Sequence, residues 1–236
     1  MKFILGRKSE MTQRYRPDGS AVVVTKVVAE PCVVAQIKSV SRDGYTAVQV
    51  ASGKRKRVAK PQAGHLKGIG PVAVLREIRL TPEEAKPLAV GDRITVETFV
   101  PGDVVKVTGW SKGRGFQGVV KRHGFKGSPK THGHKDQLRM PGSSGAGGVQ
   151  RVRPGKRMPG RMGNEQITVA NLEIIAVDVP EHTLYVQGAI PGSRNGLLVI
   201  QGKGDLTTAK AAAPVEPAAV PAISEAPAVP AATTTQ

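Results

Sequence analysis

Short β-branched apolar runs, separated by turn residues, recur along most of the chain and predict strands. AVVVTKVV (21–28), CVVAQIKS (32–39) and YTAVQV (45–50) are such runs, parted by Pro17-Asp18-Gly19, Glu30-Pro31 and Asp43-Gly44. VAVLREIRL (72–80), RITVETFV (93–100) and VVKVTGW (104–110) continue the pattern, the last by alternating apolar and polar positions. TPEEAK (81–86) reads as a short helix, with Thr81 as N-cap, Pro82 in the first turn and acids beside it. QITV (166–169), LEIIAVDV (172–179), TLYVQG (183–188) and LLVIQG (197–202) resume the strand signal. This many short strands need closed or covered edges, so a β-barrel is the expected arrangement.

Between residues 111 and 163 the pattern collapses. Only FQGVVKRHGF (116–125) has helix character, weakened by Gly118. A structureless run of this length is uncommon inside a compact domain and is usually functional or disordered. A second change of composition comes at the end, where AKAAAPVEPAAVPAISEAPAVPAATTTQ is Ala/Pro-rich and short of apolar bulk. Residues 1–110 and 164–204 are therefore expected to form a β-rich body, 111–163 a long basic insertion and 205–236 a disordered tail.

Charge gives the insertion its meaning. The 236-residue chain carries +17, from 35 Lys plus Arg against 18 Asp plus Glu. Residues 111–163 hold 13 of those cations and one acid, Asp136, so +12 of the excess lies there. They also hold 13 of the 28 glycines and three of the five histidines. A merely solvated surface would mix both signs. This segment instead suits a polyanion, with glycines for close backbone approach and Arg for phosphates and bases. It is expected to order when phosphates neutralise it. KRKR, Lys54, Arg55, Lys56 and Arg57, is a second basic run between two strands and is expected to meet phosphate as well.

Other chemistry is less well supported. No run approaches 18 apolar residues, so no transmembrane helix is expected, and MKFILGRKSEMT is too short in apolar stretch for a signal peptide. Of the two usual partners of so basic a chain, nucleic acid is expected and a membrane is not. The single Cys32 excludes an internal disulfide framework and sits in an apolar run, which fits a buried thiol and a reducing cytosol. GRGFQG has dinucleotide-fingerprint spacing but no following βαβ unit. His123, His132 and His134 suggest a metal site only weakly, because Asp136 is the sole nearby acid and the surrounding cations repel a divalent ion. No cofactor and no small-molecule substrate are expected. A ribonuclease using these three histidines, or an RNA chaperone that binds many RNAs without stable incorporation into a particle, remain alternatives to a structural RNA-binding role. The absence of helix-turn-helix, zinc-finger and basic-zipper patterns favours RNA over DNA.

Longer ordered motifs carry a resemblance. DGYTAVQV (43–50), KPQAGH (60–65), VTGWSKGRGFQGVVKRHGF (107–125), THG (131–133), MPGSSG (140–145), GKRMPGRMGNEQITV (155–169) and GAIPG (188–192) together resemble the bacterial-type L-three family of large-subunit ribosomal proteins. The resemblance implies a mainly β fold: a translation-factor-like barrel with a small additional lobe and an arm that penetrates ribosomal RNA. It implies no enzyme activity and a cytoplasmic location in the ribosome. The body would bind 23S-type large-subunit RNA near its 3′ end and help nucleate subunit assembly. The arm would reach toward the peptidyl transferase centre, and proteins of the L-fourteen and L-nineteen families would be neighbours.

Carried onto this sequence, Lys112, Arg114, Lys121 and Arg122 match the basic root of the arm, Thr131, His132 and Gly133 its THG, and Lys156, Arg157, Met158, Gly160, Met162 and Gly163 its returning strand. The expected RNA contacts also include Lys54, Arg55, Lys56, Arg57, His123, Lys126, Lys130, His134, Lys135, Arg139, Arg151, Arg153 and Arg161. Gly113, Gly115, Gly133, Gly142, Gly160 and Gly163 are the expected close-approach glycines. His123 stands where some relatives have Trp, and the tip GAGGVQRVRPG lacks the sequence in which some relatives carry a methylated Gln.

Overall fold

The computed structural model describes residues 1–148 and 150–209. The chain opens with β1 (Lys2–Tyr15), β2 (Ala21–Val28) and β3 (Cys32–Lys38), then a helical turn α1 (Val40–Asp43), β4 (Ala47–Lys54) and α2 (Lys60–His65). β5 (Val72–Arg79), α3 (Pro82–Ala85) and β6 (Arg93–Ile94) lead to β7 (Val104–Trp110). Beyond it lie β8 (Gly115–Gln117), α4 (Val119–His123), β9 (Gly160–Met162), β10 (Gln166–Asp178), β11 (Thr183–Gln187), β12 (Leu197–Gly202) and β13 (Thr208–Ala209).

Six strands close a barrel in the order β1-β12-β7-β10-β11-β2, every pair antiparallel. A second sheet, β13-β6-β3-β4-β5, forms the additional lobe. One hydrophobic core runs through both. Val27, Val107, Leu198 and Ile200 of the barrel belong to the same buried cluster as Val34, Val48, Val50 and Ile78 of the lobe. A shared core fixes the two sheets relative to one another, because close-packed interiors do not slide.

The sequence pattern assigns no strand before residue 21, yet β1 spans 14 residues. Phe3, Ile4 and Leu5 are all fully buried, so this stretch is covered on both faces. A strand of that kind reads as an apolar run without alternation. RITVETFV also departs from expectation. Only Arg93–Ile94 pair as strand, and Val96–Thr98 wind into a 3-10 turn. Val96 and Phe99, both buried, stand three apart, which suits one face of a 3-10 turn. The Thr98 hydroxyl lies 3.0 Å from each of the Thr95 and Thr207 carbonyls. QITV and LEIIAVDV are one strand rather than two. A bulge between Val169 and Leu172 absorbs the break, with Asn171 at φ 58°, a conformation Asn tolerates.

The expected helix at TPEEAK forms with a full capping box. The Thr81 amide donates to Glu84 Oε2 at 3.1 Å, and the Glu84 amide to Thr81 Oγ1 at 3.4 Å. At the other end the body reaches past residue 204: Thr208 and Ala209 pair with Ile94 and Arg93, because β6 offers an otherwise open edge. The tail expectation for residues 210–236 lies outside the described residues.

Candidate nucleic-acid interface

The basic insertion leaves the barrel between two strands that are already paired. Trp110 at the end of β7 stands opposite Gln166 at the start of β10. The ladder then continues outward. The Ser111 amide donates to the Glu165 carbonyl and the Arg114 amide to the Met162 carbonyl, each at 2.9 Å. β8 and β9 follow in register, Gly115 opposite Met162, Phe116 opposite Arg161 and Gln117 opposite Gly160. The insertion is thus the extended tip of a barrel hairpin. Its root is ordered by its own backbone pairing, where the sequence suggests order only on neutralisation by phosphate.

Two glycines make this pairing fit. Gly163 adopts φ +73°, and a Cβ there would run into the Lys112 carbonyl. At Gly160 a Cβ would stand 2.5 Å from Arg122 Nη1. That guanidinium crosses from α4 to donate to the Met158 carbonyl at 2.8 Å, and His123 Nε2 reaches the same oxygen at 3.1 Å. α4 is the short helix expected in FQGVVKRHGF. It buries Val119 and places Lys121, Arg122 and His123 in its last turn, where cations complement the helix dipole. Farther out, the Ser128 amide donates to the Leu138 carbonyl and Lys156 Nζ to the Ser143 carbonyl, both at 2.9 Å.

Lys112, Arg114, Lys121, Arg122, Lys126, Lys130, Lys135, Arg139, Arg151, Arg153, Lys156, Arg157 and Arg161 are all exposed. Among the described residues the salt bridges lie in the body and none involves 111–163. The arm's charge is therefore left for an external partner. Its field is felt on the barrel: Lys8 is pushed below the usual lysine range by burial and then by the charge of Lys112. Phe116 is 76% exposed on β8, a ring free to pack on a base.

His132 is exposed, while His123 and His134 are half-buried, with the His123 ring 6.1 Å from Phe125 and tilted by 46°. Among the described residues no three His, Cys, Asp or Glu side chains converge as a metal-binding group. Gly113 has only ordinary contact with Asn164 where a Cβ would stand, and Gly115, Gly133 and Gly142 have open space there. Close approach within the protein is thus confined to Gly160 and Gly163 among the six expected positions. Lys54, Arg55, Lys56 and Arg57 are exposed at the end of β4 and beyond it. The first three rim a cleft of about 900 Å³ with Arg93, in the lobe sheet and apart from the arm.

Sequence reasoning missed Lys8, Glu165, Ile167 and Pro191, which the barrel brings against the arm root. Lys8 Nζ lies 2.8 Å from the Ile190 carbonyl and 3.4 Å from that of Gly192. No local motif announces these residues, because only the closure of the barrel makes them neighbours.

The family described as Ribosomal protein L3 matches residues 83–183, a span that includes all of the arm. The Large ribosomal subunit protein uL3 of Herpetosiphon aurantiacus is 47% identical over 201 residues, covering 84% of this chain and 94% of that protein. The chain belongs to the ribosomal protein L3 family. The uL3 proteins of Roseiflexus sp. and Solibacter usitatus are similar to it as well. They are 50% identical over 202 residues and 48% over 204, each covering 84% of this chain and respectively 95% and 96% of the relative. L3 is a family of structural ribosomal proteins rather than of enzymes. Membership therefore sets aside the ribonuclease reading of His123, His132 and His134.

Proposed function

We propose that this L3 chain binds large-subunit ribosomal RNA through its arm and the KRKR edge of its lobe, and helps nucleate assembly of the subunit. The observation that carries this reading is the arm: thirteen exposed cations with one acid, mounted on a continuation of the barrel ladder. Such a surface repels itself unless phosphates neutralise it, and counterion release then supplies affinity. The barrel and lobe, locked by one core, act as a rigid mount. The arm's Arg and Lys offset repulsion between packed RNA helices. The motifs that match the family's arm support a body near the 3′ end of the RNA, an arm directed to the peptidyl transferase centre, and L-fourteen and L-nineteen proteins as neighbours.

Sucrose-gradient fractionation of cell lysate at high salt tests this. One copy per large subunit is the expected outcome. Protein found only in light fractions, as for an unincorporated RNA chaperone, would overturn it.

A further inference from the structure

Where the arm root leaves the barrel, it encloses a groove of about 730 Å³. One wall, from the arm root, carries the cations Lys112, Arg114, Arg122 and Arg161 together with the imidazole of His123. The other is apolar, formed by Ile167 and Val169 of β10 and by Ile190 and Pro191 of the β11–β12 connection. Glu165 is the one carboxylate among the lining residues. We propose that this groove is a pocket for a single unpaired nucleotide, with its phosphate on the cationic wall and its base on the apolar one.

The volume lies within the range of pockets that take a compact organic ligand. The walls are held in place before any ligand arrives. The Met158 carbonyl fixes Arg122 and His123 at 2.8 and 3.1 Å. Lys8 pins the opposite loop through the Ile190 carbonyl at 2.8 Å. Ile167 is 42% exposed although it lies on a barrel strand, so apolar surface there is left for a partner. An RNA duplex would present phosphates and sugars to the groove and leave that apolar wall unused. An extruded nucleotide uses both walls, since unstacked bases pack on apolar side chains and guanidinium planes. Glu165 would repel a bare phosphate, but it can accept a hydrogen bond from a sugar hydroxyl or an exocyclic amine. An acidic protein segment would match the cations, but Glu165 would repel its carboxylates, and it offers no flat base to cover the apolar wall.

This inference rests on the RNA-binding reading, and its test separates the two. A photo-crosslinking benzophenone amino acid is placed at residue 167, and in a separate preparation at residue 130 on the arm. Each variant is assembled into large subunits, and RNA adducts are mapped by primer extension. The expected result is a crosslink from residue 167 to the base of one unpaired nucleotide. In subunits carrying Ile167→Asp, the chemical reactivity of that nucleotide should rise on the order of tenfold, matching the loss of base packing, with the rest of the arm footprint unchanged. Crosslinks from 167 to a duplex backbone or to protein, while 130 still reaches RNA, would overturn the pocket and leave RNA binding intact. Failure of both positions to reach RNA would overturn both readings.

Discussion

Replacing Gly163 with Ala would part the arm from the barrel at its root. At φ +73° a side chain costs about 1–2 kcal/mol. The added methyl also meets the Lys112 carbonyl, a backbone atom that can retreat only by pulling Ser111–Arg114 off β9 and its flank. Retreat breaks the two 2.9 Å bonds from the Ser111 and Arg114 amides, each contributing about 0.5–1.5 kcal/mol. Together these give roughly 2–5 kcal/mol against the closed root, a thirtyfold to few-thousandfold loss in its closing equilibrium. Gly160→Ala is the matched control. Its methyl meets only the far end of the Arg122 side chain, which can swing away for about 1 kcal/mol as it gives up the Met158 carbonyl. Native-state amide exchange at Ser111 and Arg114 reads the difference directly. Protection should collapse in Gly163→Ala and largely survive in Gly160→Ala. Equal loss in both, or none in Gly163→Ala, would refute the argument that backbone pairing, rather than bound RNA, orders the root.

Exchanging Lys112, Arg114 and Arg161 together for Gln should lower the slope of log affinity against log salt by about 2–3 for large-subunit RNA, as measured by filter binding; an unchanged slope would remove the arm root from the interface. Glu77 is held below the usual carboxylate range first by Lys38, 2.8 Å away, and then by the Tyr45 hydroxyl. Its contribution to stability is therefore complete above pH about 4.5 and is lost as pH falls through the depressed value, so Glu77→Gln should flatten the acid limb of Tm against pH. Ile200→Ala, in the fully buried core, should cost about 2–5 kcal/mol in urea unfolding. Phe116→Ala, at an exposed ring, should leave the unfolding midpoint unchanged and weaken RNA binding.

Much of the barrel is legible in the sequence because β2, β7, β11 and β12 each carry a short β-branched signal bounded by turns. β1 is not, since a strand buried on both faces at Phe3–Leu5 loses its alternation. Nor is the 3-10 turn at Val96–Thr98, where the core wants residues three apart inside a β-branched run. The arm is legible from charge and glycine content alone. Its mount is not: nothing local tells that Trp110 and Gln166, more than fifty residues apart, stand opposite each other. The groove is hidden for the same reason. Its cations lie in recognisable motifs, whereas Ile167 and Pro191 look like ordinary strand and turn residues until closure sets them beside Arg122.

Directed hydroxyl-radical probing from the arm tip tests the account's central claim most directly. Cys32 is buried, and burial pushes its thiol pKa up, so an iron chelate tethered to Ser144→Cys would mark that exposed position alone. In large subunits reconstituted with this variant, cleavage should fall in RNA around the peptidyl transferase centre. Cuts confined to RNA on the outer surface of the subunit, or none, would contradict an arm that carries its cations into the RNA interior.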